Sequence, residues 1–208
     1  MSEWLDIYDD NLMHLGTKLR ADVHRDGDWH RVFHCWVMYH DVDGRACLIV
    51  QKRASNKAIY PNHFDVSSAG HYEAGETPRE GIREVQEELG LTLAYENLIP
   101  LGRRISMTRY DGSIDREVAD VHAYICDQAL SAYHYQQSEI DSLIALDVRE
   151  GLRLFAGEIS SLTVPAVGVD QPSCTITVAD FVPAHDHYWQ KICLLTPRCL
   201  NGETYLFI

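Results

Sequence analysis

Cations are scarce in this 208-residue chain: 18 lysines and arginines stand against 31 aspartates and glutamates, a formal net charge of −13. Such a surface repels the phosphate backbone, so nucleic acid is not an expected partner. A small phosphorylated molecule is still admissible, because a bound divalent cation reverses the local sign. No apolar run approaches the ~20 residues that cross a bilayer, so no membrane partner is expected either. The six cysteines include no CxxC pair, which leaves zinc unsupported by spacing. The opening MSEWLDIYDD is acidic and has no apolar core of a secretory leader. Dispersed cysteines behind such a start are expected to be reduced, mostly buried, and cytoplasmic. Repeats and low-complexity stretches are absent, and the composition is that of an ordinary globular chain.

What is present reads as strands with helices interspersed. Residues 3–24 look like two short extended segments joined near Asp9-Asp10-Asn11. Arg31–His40 is rich in aromatic and β-branched residues, Asp41-Val-Asp-Gly44 supplies turn chemistry, and Ala46–Lys52 reads as the return strand of a hairpin. Asn62–Ala69 is a shorter extended segment. Thr77 as N-cap, Pro78 at the first helical position, a stripe of Ile82, Val85 and Leu89, and Gly90 as C-cap predict a helix over Pro78–Leu89. Beyond it, 97–108 and 117–127 read as strands, and Asp141–Ala156 as a strand then a helix. The last fifty residues carry a strand at Cys174–Val178 and a helix at Asp186–Leu195. The expected class is α+β or an α/β/α sandwich.

On the predicted helix Glu84, Glu87 and Glu88 lie at i, i+3 and i+4, so their carboxylates share one face. Like charges there cost a few tenths of a kcal/mol per pair, partly offset by pairing of Arg83 with Glu87. A glutamate-rich face is ordinarily just solvated. Carboxylates at this spacing also suit hard divalent cations, which take oxygen ligands.

The segment Gly70-His-Tyr-Glu-Ala-Gly-Glu76-Thr-Pro-Arg-Glu-Gly-Ile-Arg83-Glu84-Val-Gln-Glu87-Glu88-Leu-Gly90-Leu91 resembles the Nudix box. That resemblance implies a loop–helix–loop site for Mg2+ or Mn2+ with Glu84, Glu87, Glu88 and Gly70 at the metal. It also implies a structural pairing of Glu76 with Arg83, and Gly90 as a fixed motif position. Six residues rather than the usual seven separate Glu76 from Arg83, a loss that the loop or first turn is expected to absorb. The implied function is hydrolysis of the diphosphate linkage of a small nucleoside-diphosphate-type substrate by metal-activated water. Arg53 and Lys57 are candidates to grip diphosphate oxygens, with His71 beside them. The general base is open among Glu87, Glu84, Glu117 and Glu139.

Trp29-His30-Arg-Val-Phe, Gln51-Lys52-Arg53-Ala-Ser-Asn-Lys57, Pro61 and Ala69-Gly70-His71 also resemble, over roughly residues 20–125, the branch of that superfamily that includes isopentenyl-diphosphate isomerase. His30 and His71 match its histidine ligands, and Asp115 and Glu117 fall near its later carboxylates. Its acid/base cysteine, however, is Ala69 here, which disfavours the isomerase alternative; a non-catalytic diphosphate-binding module is a further one. A second metal site among His24, His30, His34 and His71 is a weaker candidate, histidines in strands being more often hydrogen-bonded core or surface groups. Trp29, Tyr72, Tyr110 and Trp189 are candidates for nucleobase stacking, with ordinary core packing as the alternative. The resemblance implies one Nudix domain over 1–208, α+β, an α/β/α sandwich with a mixed sheet. It comprises an N-terminal strand region (1–28), a core (29–158) and a C-terminal extension with a terminal helix (159–208). Substrate choice is assigned to loops 103–116 and 157–185, and a homodimer is possible by resemblance.

Overall fold

Trp29–His40 runs as a single twelve-residue strand whose alternate side chains are buried on both faces. A strand of that kind needs a cover on each side. The computed structural model describes residues 3–208 and supplies both covers. In chain order the elements are β1 (Trp4–Tyr8), β2 (His14–Leu19), α1 (Arg20–Asp26), β3 (Trp29–His40), β4 (Ala46–Arg53), β5 (Phe64–Asp65) and β6 (Ser68–His71). There follow α2 (Arg83–Leu89), β7 (Ile99–Tyr110), β8 (Ser113–Ile125), β9 (Ile140–Asp147), α3 (Val148–Phe155), β10 (Leu162–Val167), β11 (Ser173–Ile176) and α4 (Tyr188–Leu200).

The sheet runs β11-β10-β9-β4-β3-β1-β2, with β6 and β8 also on β3, β5 on β4, and β7 on β8. All pairings are antiparallel except β3 with β8, so the sheet is mixed. On one face Phe33, Cys35 and Val37 pack with Val85 and Leu89 of α2. On the other, Val32, Trp36 and Met38 pack with Leu154 of α3 and Trp189, Ile192 and Cys193 of α4. Both faces are therefore apolar for the same reason, and the fold is α+β with the sheet between helices.

Four sequence expectations are corrected. Residues 1–28 are more than a strand region: β1 and β2 are followed by α1, closed by Gly27 in the left-handed conformation (φ 72°). The helix expected over Pro78–Leu89 begins later, with a 3-10 turn at Glu80–Ile82 and α geometry only from Arg83. Its start still carries the expected cap chemistry, since Thr77 donates to the Glu80 carboxylate through N–H (2.7 Å) and hydroxyl (3.0 Å). The supposed loop 103–116 is a β-hairpin instead. Asp111 and Gly112 at its tip both have positive φ (45° and 81°), the backbone of a primed two-residue turn. That Asp-Gly pair was the readable sign of the hairpin. Likewise 157–185 contains β10 and β11.

Candidate active site

β3 and β4 pair only from Met38–Leu48 to His40–Ala46. Below that they part, β6 joining β3 and β5 joining β4, and the gap opens into a cleft of about 780 Å³. Arg53, Lys57, Gly70, His71, Arg83, Glu84, Glu87, Glu88, Glu117 and Glu139 all line it.

The helix α2 brings its carboxylates to this cleft from one side. Glu84 lies against Gly70 so closely that a β-carbon there would overlap its carboxylate. Glu88 is buried and accepts from the Ala69 N–H (2.9 Å) and, at 3.4 Å, from the Gln51 side chain. Glu87 is half exposed and pairs with Arg83 at 3.0 Å. Arg83 organises the group: it donates to Glu76 through Nε (3.2 Å) and Nη2 (3.0 Å), and Nη1 reaches Glu84 at 2.9 Å. Glu76 and Arg83 therefore meet despite the shortened spacing. A tight 3-10 turn, Glu80–Ile82, lies within that interval. Burial pushes Glu84 up to about 7 and Glu88 up to about 8, in each case with a neighbouring carboxylate adding to the effect. Gly90 (φ 69°) closes α2 by donating to the Gln86 carbonyl, outside the cleft.

A second cluster faces the cleft from the strands. His30 from β3, His24 from α1 and His71 from β6 stand with ring centroids 5.0–5.3 Å apart. Their Nε2 atoms are all buried without a hydrogen-bond partner, as is Oδ1 of Asp115. That oxygen lies 3.4 Å from His30 Nε2 and 3.6 Å from His24 Nε2. The opposite nitrogen of His30 meets the Asp28 carbonyl at 3.1 Å, and that of His71 faces Glu3 at 3.7 Å. Ring nitrogens held on one side and orphaned on the other are the arrangement of ligands to a cation. Glu117 is also within ligand range of His30 and Asp115. Burial lowers all three histidines, His24 to about 4, and raises Asp115 and Glu117, so the cluster fits a cation better than it fits protons. His34 does not join them; its Nδ1 is 3.0 Å from the Tyr188 hydroxyl.

The basic candidates are already partnered. Arg53 donates to Asp65 (2.8 Å) and to the Ile59 carbonyl (3.1 Å), and Lys57 is ion-paired with Glu139. None of Trp29, Tyr72, Tyr110 or Trp189 lines the cleft. Tyr72 and Trp189 are core, Trp29 donates to Asp10 (2.9 Å), and Tyr110 touches only the rim residue Tyr60. The sequence reading missed Glu3, Arg20 and Arg104 at the cleft. Nothing local marks the first two. Arg104 belongs to a polar alternation with Ser106 and Thr108 that was open to inspection.

Comparison with known proteins places residues 29–151 in the NUDIX domain family. An uncharacterised Nudix hydrolase of Clostridium acetobutylicum is 35% identical over 92% of this chain and 95% of its own length. An isopentenyl-diphosphate Delta-isomerase of Clavibacter sepedonicus is 33% identical over 58% of this chain, which spans 62% of that enzyme. A crystal structure from Deinococcus radiodurans shares the fold, with a TM-score of 0.54 at 22% identity over 74% of this chain and 90% of that one.

Proposed function

The chain belongs to the Nudix family and is a hydrolase, and from that premise we propose that it cleaves the diphosphate linkage of a small substrate seated along the cleft. The observation that carries this reading is the convergence of Glu84 and Glu88 on the strand end at Ala69–Gly70, in a cleft that Glu87, Arg53 and Lys57 also line.

Magnesium or manganese fits this chain's donors: buried carboxylates with too few cations around them, Gly70 shaped to let Glu84 approach, and oxygen as the ligand atom. Glu84 and Glu88, with Gly70, would hold the ion, and it would supply Lewis-acid neutralisation of the diphosphate oxygens. Glu87 is the most open of the three carboxylates, and it is aimed by Arg83. It takes the proton from the attacking water. Glu139 is the weaker candidate for that task because Lys57 already holds it, and Glu117 lies in the histidine cluster. Arg53 and Lys57 grip non-bridging oxygens once the substrate displaces their carboxylate partners. The histidine cluster offers nitrogen donors that suit zinc, a borderline ion, and carboxylate oxygens that suit manganese.

Isomerisation of an alkenyl diphosphate is the second reading, favoured by the histidine cluster and by the Clavibacter relative. It is disfavoured by Ala69, whose methyl group in the cleft has no proton to transfer. The test is product release from a panel of diphosphates with Mg2+ or Mn2+, comparing the wild type with Glu87→Gln. Hydrolysis that falls by ~10²-fold or more in the variant supports the reading. Isomerised product, or hydrolysis indifferent to Glu87, overturns it.

A further inference from the structure

Across the sheet from the box glutamates the cleft has a wall with a different chemistry. One cross-strand row runs His71 on β6, Val32 on β3, Ala119 on β8 and Arg104 on β7. Three strand spacings separate its ends, about 14 Å along the sheet. Arg104, Ser106 and Thr108 alternate along β7 and all face the cleft.

Arg104 is held rigidly. Nε and Nη2 donate to the two carboxylate oxygens of Asp186 (2.8 and 3.0 Å), and the guanidinium lies 4.1 Å from the ring centre of Tyr188. Tyr188 is itself fixed, its hydroxyl accepting from Trp36 Nε1 (2.8 Å) and meeting His34 Nδ1 (3.0 Å). Asp186 and Tyr188 both lie beyond residues 29–151, so this anchor is not part of the matched domain. The remaining guanidinium nitrogen, Nη1, has no hydrogen-bond partner among the described residues and is not sealed in the interior. A planar donor pinned on one edge and free on the other is preorganised for an acceptor.

What it accepts follows from its neighbours. Ser106 reaches Glu117 at 3.4 Å, and Thr108 pairs in register with Asp115. Since Asp186 already balances the Arg104 charge, the free edge offers a hydrogen bond rather than an unpaired cation, which suits a neutral acceptor. A flat base finds little to stack on, because Tyr60 is the only phenylalanine, tyrosine or tryptophan among the described residues at the cleft, and its ring already contacts Tyr110 and His63. Resting on the diphosphate reading above, we propose that Arg104, with Ser106 and Thr108, is the specificity wall of this site. It selects substrates whose end distal to the diphosphate is a neutral, non-aromatic, hydroxyl-bearing group.

The test uses non-hydrolysable methylenebisphosphonate monoesters with ethyl, 2,3-dihydroxypropyl and adenosine-5′ ends, titrated calorimetrically into the full chain with Mg2+ or Mn2+. The wild type is expected to bind the dihydroxypropyl ester ~10-fold or more tightly than the ethyl ester, the scale of hydrogen bonds to a charged donor. Arg104→Met removes that preference, bringing the dihydroxypropyl and ethyl esters to within about twofold of each other. Should Arg104→Met fail to fold, the Ser106→Ala/Thr108→Val pair carries the same test, with a loss of ~3-fold or more confined to the dihydroxypropyl ester. Equal weakening of all esters, absence of the preference in wild type, or tightest binding of the adenosine ester overturns the assignment. Failure of every ester to bind with either metal overturns the diphosphate reading itself, and the wall's role with it.

Discussion

The Arg83 guanidinium donates to both carboxylate oxygens of Glu76, at 3.2 and 3.0 Å, across a six-residue interval that contains a 3-10 turn. Both partners are partly shielded, with side-chain exposures of 31% and 18%. Glu76→Gln should therefore cost about 1–2 kcal/mol in urea unfolding. It should also lower turnover, because Arg83, which contacts Glu84 and Glu87 through Nη1, loses the anchor that fixes its other edge. Unchanged stability would show that the pair is only a surface contact.

Gly70→Ala tests the cradle for Glu84. Only the flexible end of that glutamate is in the way, and Gly70 has ordinary strand geometry, so the fold should survive with its melting temperature shifted by a few degrees. Activity should fall by ~10²-fold, since the displaced group is one proposed to hold the ion. A variant with full activity would remove Glu84 from the site.

Glu88→Gln separates stability from ion binding. Glutamine keeps an oxygen for the Ala69 N–H and is neutral, as a carboxyl pushed up to about 8 mostly is at pH 7, so without divalent ions the variant should be about as stable as wild type. Saturating Mg2+ or Mn2+ at ~100 times its dissociation constant should raise wild-type stability by about 2.7 kcal/mol and the variant's by far less. Equal shifts in both proteins, read by thermal melting, would place the ion elsewhere.

The histidine cluster makes an independent prediction. His24→Ala should abolish the thermal stabilisation by micromolar Mn2+ or Zn2+ that the wild type shows, while Glu87→Gln retains it, because the orphaned Nε2 atoms and Asp115 form a separate donor set. Retention of the shift in His24→Ala sinks the second site.

Acid sensitivity should trace in part to His34. Burial first, then the Arg104 charge, pushes it down to about 3 from an ordinary 6.5. In the unfolded chain it takes a proton below about pH 6.5 that the folded protein refuses, so its contribution to stability is full above that pH. It is lost as pH falls toward 3, at up to about 1.4 kcal/mol per pH unit. His34→Asn, which keeps an acceptor for the Tyr188 hydroxyl, should flatten the fall in urea midpoint between pH 7 and 5. Parallel curves would show that His34 titrates normally.

The sequence alone determined whatever is written in consecutive residues. Glu84, Glu87 and Glu88 share a face because an α-helix returns every 3.6 residues, and the cap chemistry at Thr77 and Gly90 bounds that helix wherever it packs. The paired strands around Asp41–Gly44 were legible for the same reason, since alternation and turn residues are local, whereas the mixed sheet was implied only by the resemblance to the Nudix family. Only the tertiary structure decided the rest. His24, His30, His71 and Asp115 come from one helix and three strands, and they meet because a specific register sets β3 beside both β6 and β8. A one-residue slip in either pairing would turn those side chains to the opposite face, and no local pattern encodes that choice. Arg104 gains its fixed edge from Asp186, 82 residues away. The nucleobase candidates Trp29, Tyr72, Tyr110 and Trp189 failed on the same ground, since burial in a core and exposure in a cleft look alike until the sheet has closed around them.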